Sequence, residues 1–268
     1  MVVIGIIPAA GKGNRLRPIT DFIPKELLLY GPRPFIRYCL DNLRASGIER
    51  ALIIVGYKKG SIMDYVKDGR GMGVNVDYAY QVEQKGLGDA ILTAEGKLNE
   101  DREIFILLGD NVIEPESELK RLKELYLEEK PFGVILVEES RHPSLYGVVK
   151  FKGMHSGSGE ISEVFEKPGE KEVRRFETDG KVYAISGAYI LSTKIFGYLR
   201  KAKPDKNGEL QLTDAIRLAL EGGERIIAMK LDGKRIDIGT PYNYLMEQHK
   251  LFKGLREEDV RKLSQQWE

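Results

Sequence analysis

A cluster of cations carries the first chemistry that can be read from the chain. Lys12, Arg15, Arg17 and Lys25 fall in the segment PAAGKGNRLRPITDFIPKELL, and Gly11 and Gly13 leave its backbone N–H groups unhindered. Such a loop can approach a polyphosphate closely and neutralise it; a solvated basic turn would use the same residue types. The P-loop pattern needs a spaced glycine pair followed by Lys and Ser or Thr, which Gly11-Lys12-Gly13-Asn14 does not supply. The dinucleotide pattern G-x-G-x-x-G fits Gly11 and Gly13 but meets Leu16 at its third glycine, and Pro18 stops a helix from starting there.

Two carboxylates make the second constellation. Asp110 follows an apolar run in LLGDN, and Asp237 lies in RIDIGTP. In an open α/β sheet ligands gather outside the carboxyl ends of the strands. Two carboxylates offered there suit Mg²⁺ bound to a triphosphate, because this small hard ion takes one or two carboxylates and completes its shell with phosphate oxygens. Each alone reads equally well as a turn aspartate. Gln81, at another strand end, has both a donor and an acceptor with which to read a pyrimidine edge, and Gly86 lets a base lie against the backbone. Glu166 and Lys167, in VFEKPGE, could meet sugar hydroxyls and a phosphate; as an isolated pair they read as exposed surface.

The elements that must position these groups alternate. Strands are predicted at residues 2–7, 51–55, 74–80 and 104–108, with Pro8 and Gly11 ending the first, and helices near 34–46, 61–67, 88–98 and 117–128. Further strands fall at 133–137, 148–151, 161–165, 183–191, 226–231 and 235–238, with helices near 194–200 and 213–221. The turn GMHSGSGE marks a hairpin. A charged helical tail starting at Pro241 is expected to dock on the body or on a second subunit. This order predicts an α/β fold: a single Rossmann-like domain over residues 1–268, with a mostly parallel central sheet flanked by helices. Residues 1 to about 140 would form the nucleotide half. A β-rich sugar-phosphate half would be inserted over about 141–240, before the tail at about 241–268.

Composition narrows the function classes. The 268 residues carry 42 Lys and Arg against 41 Asp and Glu, so a net charge of +1 creates no global field toward nucleic acid or an anionic membrane. One cysteine, Cys39, excludes an internal disulfide and a thiolate zinc cluster. Without eighteen consecutive apolar residues or a basic leader, a cytoplasmic protein with no membrane or nucleic-acid partner is expected.

Taken together, AAGKGNRLRP with IPKELL, Q-x4-GLGDA, LLGDN, YGVV, EKP, SGAYIL, GELQLTDAI and DIGTP resemble, in order from residue 2 to about 245, the sugar-1-phosphate nucleotidylyltransferase family. The likeness is to its glucose-1-phosphate thymidylyl- and uridylyltransferase branch. The resemblance implies attack of a sugar 1-phosphate, glucose 1-phosphate above all, on the α-phosphorus of dTTP or UTP, giving a nucleoside diphosphate sugar and pyrophosphate. It implies Mg²⁺ on Asp110 and Asp237, with Arg15 on the triphosphate and the leaving pyrophosphate. Lys25 would stand near the α-phosphate and the incoming sugar phosphate. Ala9, Ala10 and Gly11, with Gly13, Gln81 and Gly86, would bind the nucleotide; Gly147, Glu166, Lys167, Gly187 and Glu209 would bind the sugar phosphate. A homo-oligomer is expected. No left-handed β-helix repeats follow residue 245, so no second acetyltransferase domain is expected.

Three positions depart from the family pattern. Asn14 stands where Thr or Ser is usual, Asn207 where thymidylyltransferases tend to have an arginine, and Arg235 where an aromatic residue is frequent; ELQLTDAI is nearer the uridylyltransferase form. The alternative function is a regulatory subunit of the same fold that binds nucleotide sugars without making them. A nicotinamide oxidoreductase would rest on Gly11 and Gly13 alone, and a metal-dependent glycosyltransferase explains neither Arg15 nor the Pro-Lys pair.

Overall fold

Aliphatic runs too short for helices become strands, and the amphipathic runs between them become the helices that cover the sheet. The computed structural model describes residues 3–98, 103–254 and 258–259. In chain order the strands are β1 (Ile4–Ala9), β2 (Leu29–Tyr30), β3 (Arg33–Pro34), β4 (Arg50–Val55), β5 (Asn75–Tyr80), β6 (Glu103–Leu107) and β7 (Asn111–Glu114). They continue as β8 (Gly133–Glu139), β9 (Gly147–Phe151), β10 (Ser158–Glu166), β11 (Tyr183–Ser192), β12 (Ile226–Lys230) and β13 (Lys234–Asp237). The helices are α1 (Phe35–Ala45), α2 (Lys59–Val66), α3 (Leu87–Thr93), α4 (Ser117–Glu129), α5 (Glu170–Val173), α6 (Ile195–Leu199), α7 (Leu212–Glu221) and α8 (Pro241–Phe252). Val2, the first residue of the predicted first strand, and the tail beyond Gly254 other than 258–259 lie outside the described residues.

Nine strands form one sheet in the order β5-β4-β1-β6-β11-β8-β12-β10-β9. From β5 to β6 every neighbour is parallel, which requires the helical crossovers that the alternating pattern predicts. From β11 onward the sheet is mixed: β11 runs antiparallel to β6 and β8, and β10 antiparallel to β12 and β9. The strand period of two sends Ile4 and Ile6 to a core shared with Ile91, Ile195 and Ile216, and Ile7 and Ala9 to a second core with Leu40, Leu43 and Leu122. No helix among the described residues is long and apolar enough to cross a membrane.

The sheet is not mostly parallel as expected, since the strands from β11 onward bring as many antiparallel neighbours as there are parallel ones. Two further departures bear on the site. Pro8 lies inside β1, paired with Ile54, and does not end it. Its carbonyl oxygen accepts from Gly109 N–H at 3.3 Å, so its missing N–H faces the side where the β1–β6 ladder has already stopped at Ile6–Ile106. The second is β7, which pairs antiparallel with β13 in a separate ribbon that sets Asp237 opposite Asn111. A third apolar cluster of Leu16, Leu28, Tyr30, Phe35, Val112, Ile236 and Ile238 joins that ribbon to the glycine-rich loop.

Candidate active site

The loop after β1 is held by its own small anchors. Gly13 takes a left-handed conformation and its carbonyl accepts from Thr20 Oγ1 at 2.9 Å. Leu16, in the place of a third glycine, is 1% exposed in the third apolar cluster. Pinning Leu16 leaves its neighbour Arg15 turned to the ligand side. The N–H of Tyr57 donates to Ala10 O at 3.1 Å, which ties the start of the loop to the turn after β4.

Lys25 and Asp110, far apart in sequence, meet with Nζ to Oδ2 at 2.6 Å. Burial pulls the Lys25 pKa down, but Asp110 first, then Glu26 and Asp237, more than offset it and hold the ammonium well above its ordinary value. Asp110 is pushed up by burial and pulled further down by Lys25, ending below the usual carboxylate range. Glu26, also at the cavity, is raised to about 7 because burial outweighs the attraction of Lys25, and its Oε2 has no hydrogen-bond partner. Asp237 Oδ1 accepts from Gly239 N–H at 2.6 Å; its Oδ2 accepts from the Tyr146 hydroxyl at 2.9 Å and Arg235 Nη1 at 3.3 Å. Arg235 is almost buried, 4.3 Å over the Tyr146 ring and bonded through Nε and Nη2 to Glu138. Its place in the aromatic position thus supports the carboxylate of Asp237.

Two cavities open on these groups. The larger, about 520 Å³, is lined by Ala10, Gly11, Lys12, Gly13, Arg15, Lys25, Gln81, Gly86, Asp110 and Glu209, among others. The smaller, about 140 Å³, is lined by Arg15, Asp110, Tyr146, Gly147, Glu166, Gly187, Tyr189, Gln211, Thr213, Arg235 and Asp237, among others. Arg15, Leu87, Leu108 and Asp110 belong to both walls, so the cavities are neighbours across the arginine and the first carboxylate. Ala9 is buried in β1 and lies in neither wall. Lys167, expected on the sugar phosphate, is half-exposed outside both walls with Nζ 3.4 Å from Glu166 Oε1. Glu209, expected with the sugar-phosphate residues, lies instead in the larger cavity, because Leu210 clasps the start of α3: Gly88 N–H donates to Leu210 O at 2.8 Å, and Leu210 N–H to Lys85 O at 2.7 Å.

Backbone shape opens both cavities. Gly86 has φ 100°, and a Cβ there would lie 2.5 Å from the Leu210 carbonyl oxygen, so only glycine fits between α3 and that segment. Gly187 has φ 77° within a register shift of β11 against β8, and a Cβ would strike the Asn111 amide. In the smaller cavity Thr213 Oγ1 donates to Glu166 Oε2 at 2.7 Å. Reading the motifs alone missed Thr213, Gln211, Tyr146 and Tyr189 as wall residues, although each lies in or beside a quoted motif: GELQLTDAI, YGVV or SGAYIL.

The donor set bears on a metal. Among the described residues no group of three or more His, Cys, Asp and Glu gathers to form a closed cage. Asp110 and Asp237 in one wall fit Mg²⁺, which draws its remaining oxygens from phosphate and water.

The nucleotidyl transferase family pattern matches residues 4–254. The chain is 35% identical over 238 residues to a UTP–glucose-1-phosphate uridylyltransferase of Haloferax volcanii, covering 88% of this chain and 91% of the relative. It is 34% identical over 285 residues to the protein of that name from Mycoplasma genitalium, covering 96% and 93%. A solved UDP-glucose pyrophosphorylase complexed with UDP-glucose superposes with a TM-score of 0.84 at 32% identity, over 95% of this chain and 100% of that one. A putative glucose-1-phosphate thymidylyltransferase from Bacillus anthracis, in complex with a sucrose, gives 0.78 at 26% identity over 97% and 99%. With its family pattern, its relatives and its fold in agreement, the chain belongs to the nucleotidyl transferase family, in the sugar-1-phosphate nucleotidylyltransferase branch.

Proposed function

We propose that this protein is a Mg²⁺-dependent UTP–glucose-1-phosphate uridylyltransferase, making UDP-glucose and pyrophosphate. The observation that carries the reading is the shared wall at Arg15 and Asp110: two ligands, one in each cavity, would meet there. UTP is favoured over dTTP by the names of the relatives at 31–35% identity, while the thymidylyltransferase-titled structure is at 26%.

In this reading the larger cavity takes UTP, with its base toward Gln81 and Gly86 and its phosphates along Gly11 to Arg15. The smaller takes glucose 1-phosphate against Gly147, Glu166, Thr213 and Gly187. A phosphate oxygen of glucose 1-phosphate forms the new bond to the α-phosphorus while the bond to the β-phosphate oxygen breaks, and pyrophosphate carries away that electron pair. The attacking group is already an anion, because the second pKa of a phosphate monoester is about 6. No general base is needed, and His142, His155 and His249 lie outside both walls. Lys25 holds positive charge where the two phosphates converge, and Arg15 neutralises the leaving group. Asp110 and Asp237 would hold Mg²⁺, which when bound supplies further charge neutralisation on the phosphate oxygens.

The test is pyrophosphate release with glucose 1-phosphate, Mg²⁺ and each nucleoside triphosphate in turn. Release is expected with UTP, at a kcat/KM above that for dTTP. Silence across the panel, from folded protein that binds UDP-glucose, would contradict the activity and favour a regulatory binding role.

A further inference from the structure

The nucleotide cavity settles which end of the Gln81 amide a ligand meets. Gln81 follows β5, is 4% exposed and lines the larger cavity. Its Nε2 donates to the Gly86 carbonyl oxygen at 3.2 Å and to Asp89 Oδ2 at 2.7 Å. Both neighbours can only accept, so turning the amide over would set its oxygen against two other oxygens. The assignment of nitrogen and oxygen is therefore dictated by the surroundings. Both amide hydrogens are used inside the protein, and Oε1 is the group left to face a base.

Asp89 is the stronger of the two anchors, since its bond is the shorter and its acceptor is a carboxylate. It sits in the first turn of α3, and its own carbonyl is engaged separately by Thr93 Oγ1 at 2.9 Å. The carboxylate is thus free to act on Gln81 without serving as a helix bond.

We propose that Asp89 is a positioning residue for base selection: it turns Gln81 so that the site presents an acceptor and selects a base whose ring nitrogen carries a hydrogen. The imide N3–H of uracil or thymine meets that demand. Cytosine N3 and adenine N1 are acceptors, and would face Oε1 oxygen to lone pair. The discrimination is between classes of base edge and does not separate uracil from thymine, which differ in a methyl group remote from N3. The inference rests on the reading of the larger cavity as a nucleoside triphosphate site.

The test is calorimetric binding of UTP and of CTP, with Mg²⁺, to the wild-type protein and to Asp89→Leu and Asp89→Asn. An acceptor left facing an acceptor predicts that wild type binds CTP about 10- to 100-fold more weakly than UTP. Asp89→Leu removes the main anchor and should bring that ratio below about threefold while UTP still binds, a change in preference that a general loss of structure does not produce. Asp89→Asn should keep most of the wild-type preference, because its carbonyl can take the same hydrogen bond while Gly86 O still claims the other amide hydrogen. Equal wild-type affinity for the two nucleotides would overturn the inference whatever the variants do, and so would an unchanged ratio in Asp89→Leu. Catalysis is read separately. A UTP preference that depends on Asp89, without pyrophosphate release, would contradict the uridylyltransferase reading alone; release from UTP with no preference over CTP would contradict the role of Asp89 alone.

Discussion

Lys25 is the residue on which the electrostatics of the site turn. Its ammonium touches Asp110, stands 3.9 Å from Glu26 and is held charged by both, a fixed cation that in the proposed reaction would offset the repulsion of the two phosphates. Lys25→Ala should lower kcat/KM for uridylyl transfer by about 10²–10³-fold, the scale of one preorganised charge-stabilising donor, measured by pyrophosphate release. Glu26 yields a prediction about stability. Its pKa rises from 4.5 to about 7 on folding, so the native state binds more protons than the unfolded one across that interval. Ligand-free stability should therefore fall as pH rises from about 4.5 to 7, by up to about 3 kcal/mol, and level off above it. Denaturant titrations of Glu26→Gln should show that slope flattened; an unchanged slope would assign it to other groups. Cys39 is buried and its thiol is pushed far up by that burial, so a thiol reagent should react only as fast as the protein unfolds.

At the scale of elements, the β7–β13 ribbon brings the second carboxylate to the first. The alternation of strands and helices was legible because the apolar runs are short and bounded by breakers, and Asp110 and Asp237 were legible as strand-end residues. Their meeting at one sheet edge was expected, but the ribbon that brings it about was not legible, because Asn111–Glu114 follows directly on a turn, is halted by Pro115 and pairs with a strand more than a hundred residues later. Local pattern carries no information about such pairing. Pro8 misled for a related reason: whether a proline ends a strand depends on which side its missing N–H faces, which is a property of the sheet. Thr213 and Gln211 read as ordinary polar residues around the start of a helix until the fold sets them in the wall of the smaller cavity, Thr213 against Glu166. Ile236 is 1% exposed and packs the ribbon onto Leu16 and Phe35. Ile236→Ala should cost about 2–4 kcal/mol in denaturant unfolding. It should also impair catalysis beyond that loss, because both Arg15 and Asp237 are positioned through this cluster. Wild-type kcat at temperatures where the variant is folded would contradict that coupling.

On the scale of the whole molecule, one sheet carries both cavities: its parallel strands support the glycine-rich loop and the larger cavity, and its mixed strands line the smaller one, which the proposed reading gives to the sugar. A ligand that spans both should stabilise more than either half. UDP-glucose at about 100 times its Kd should add about 2.7 kcal/mol, seen as a raised Tm. UMP and glucose 1-phosphate at the same concentration should each add less; equal shifts from UMP and UDP-glucose would mean that the smaller cavity takes no sugar. The most direct test of the central claim, that the reaction occurs at the α-phosphorus where the two cavities meet, is to follow labelled UTP during turnover with glucose 1-phosphate and Mg²⁺. The account predicts that an α-phosphate label appears in UDP-glucose and a γ-phosphate label in pyrophosphate. An α label that emerges in free UMP or stays in UDP, with no labelled UDP-glucose, would contradict it.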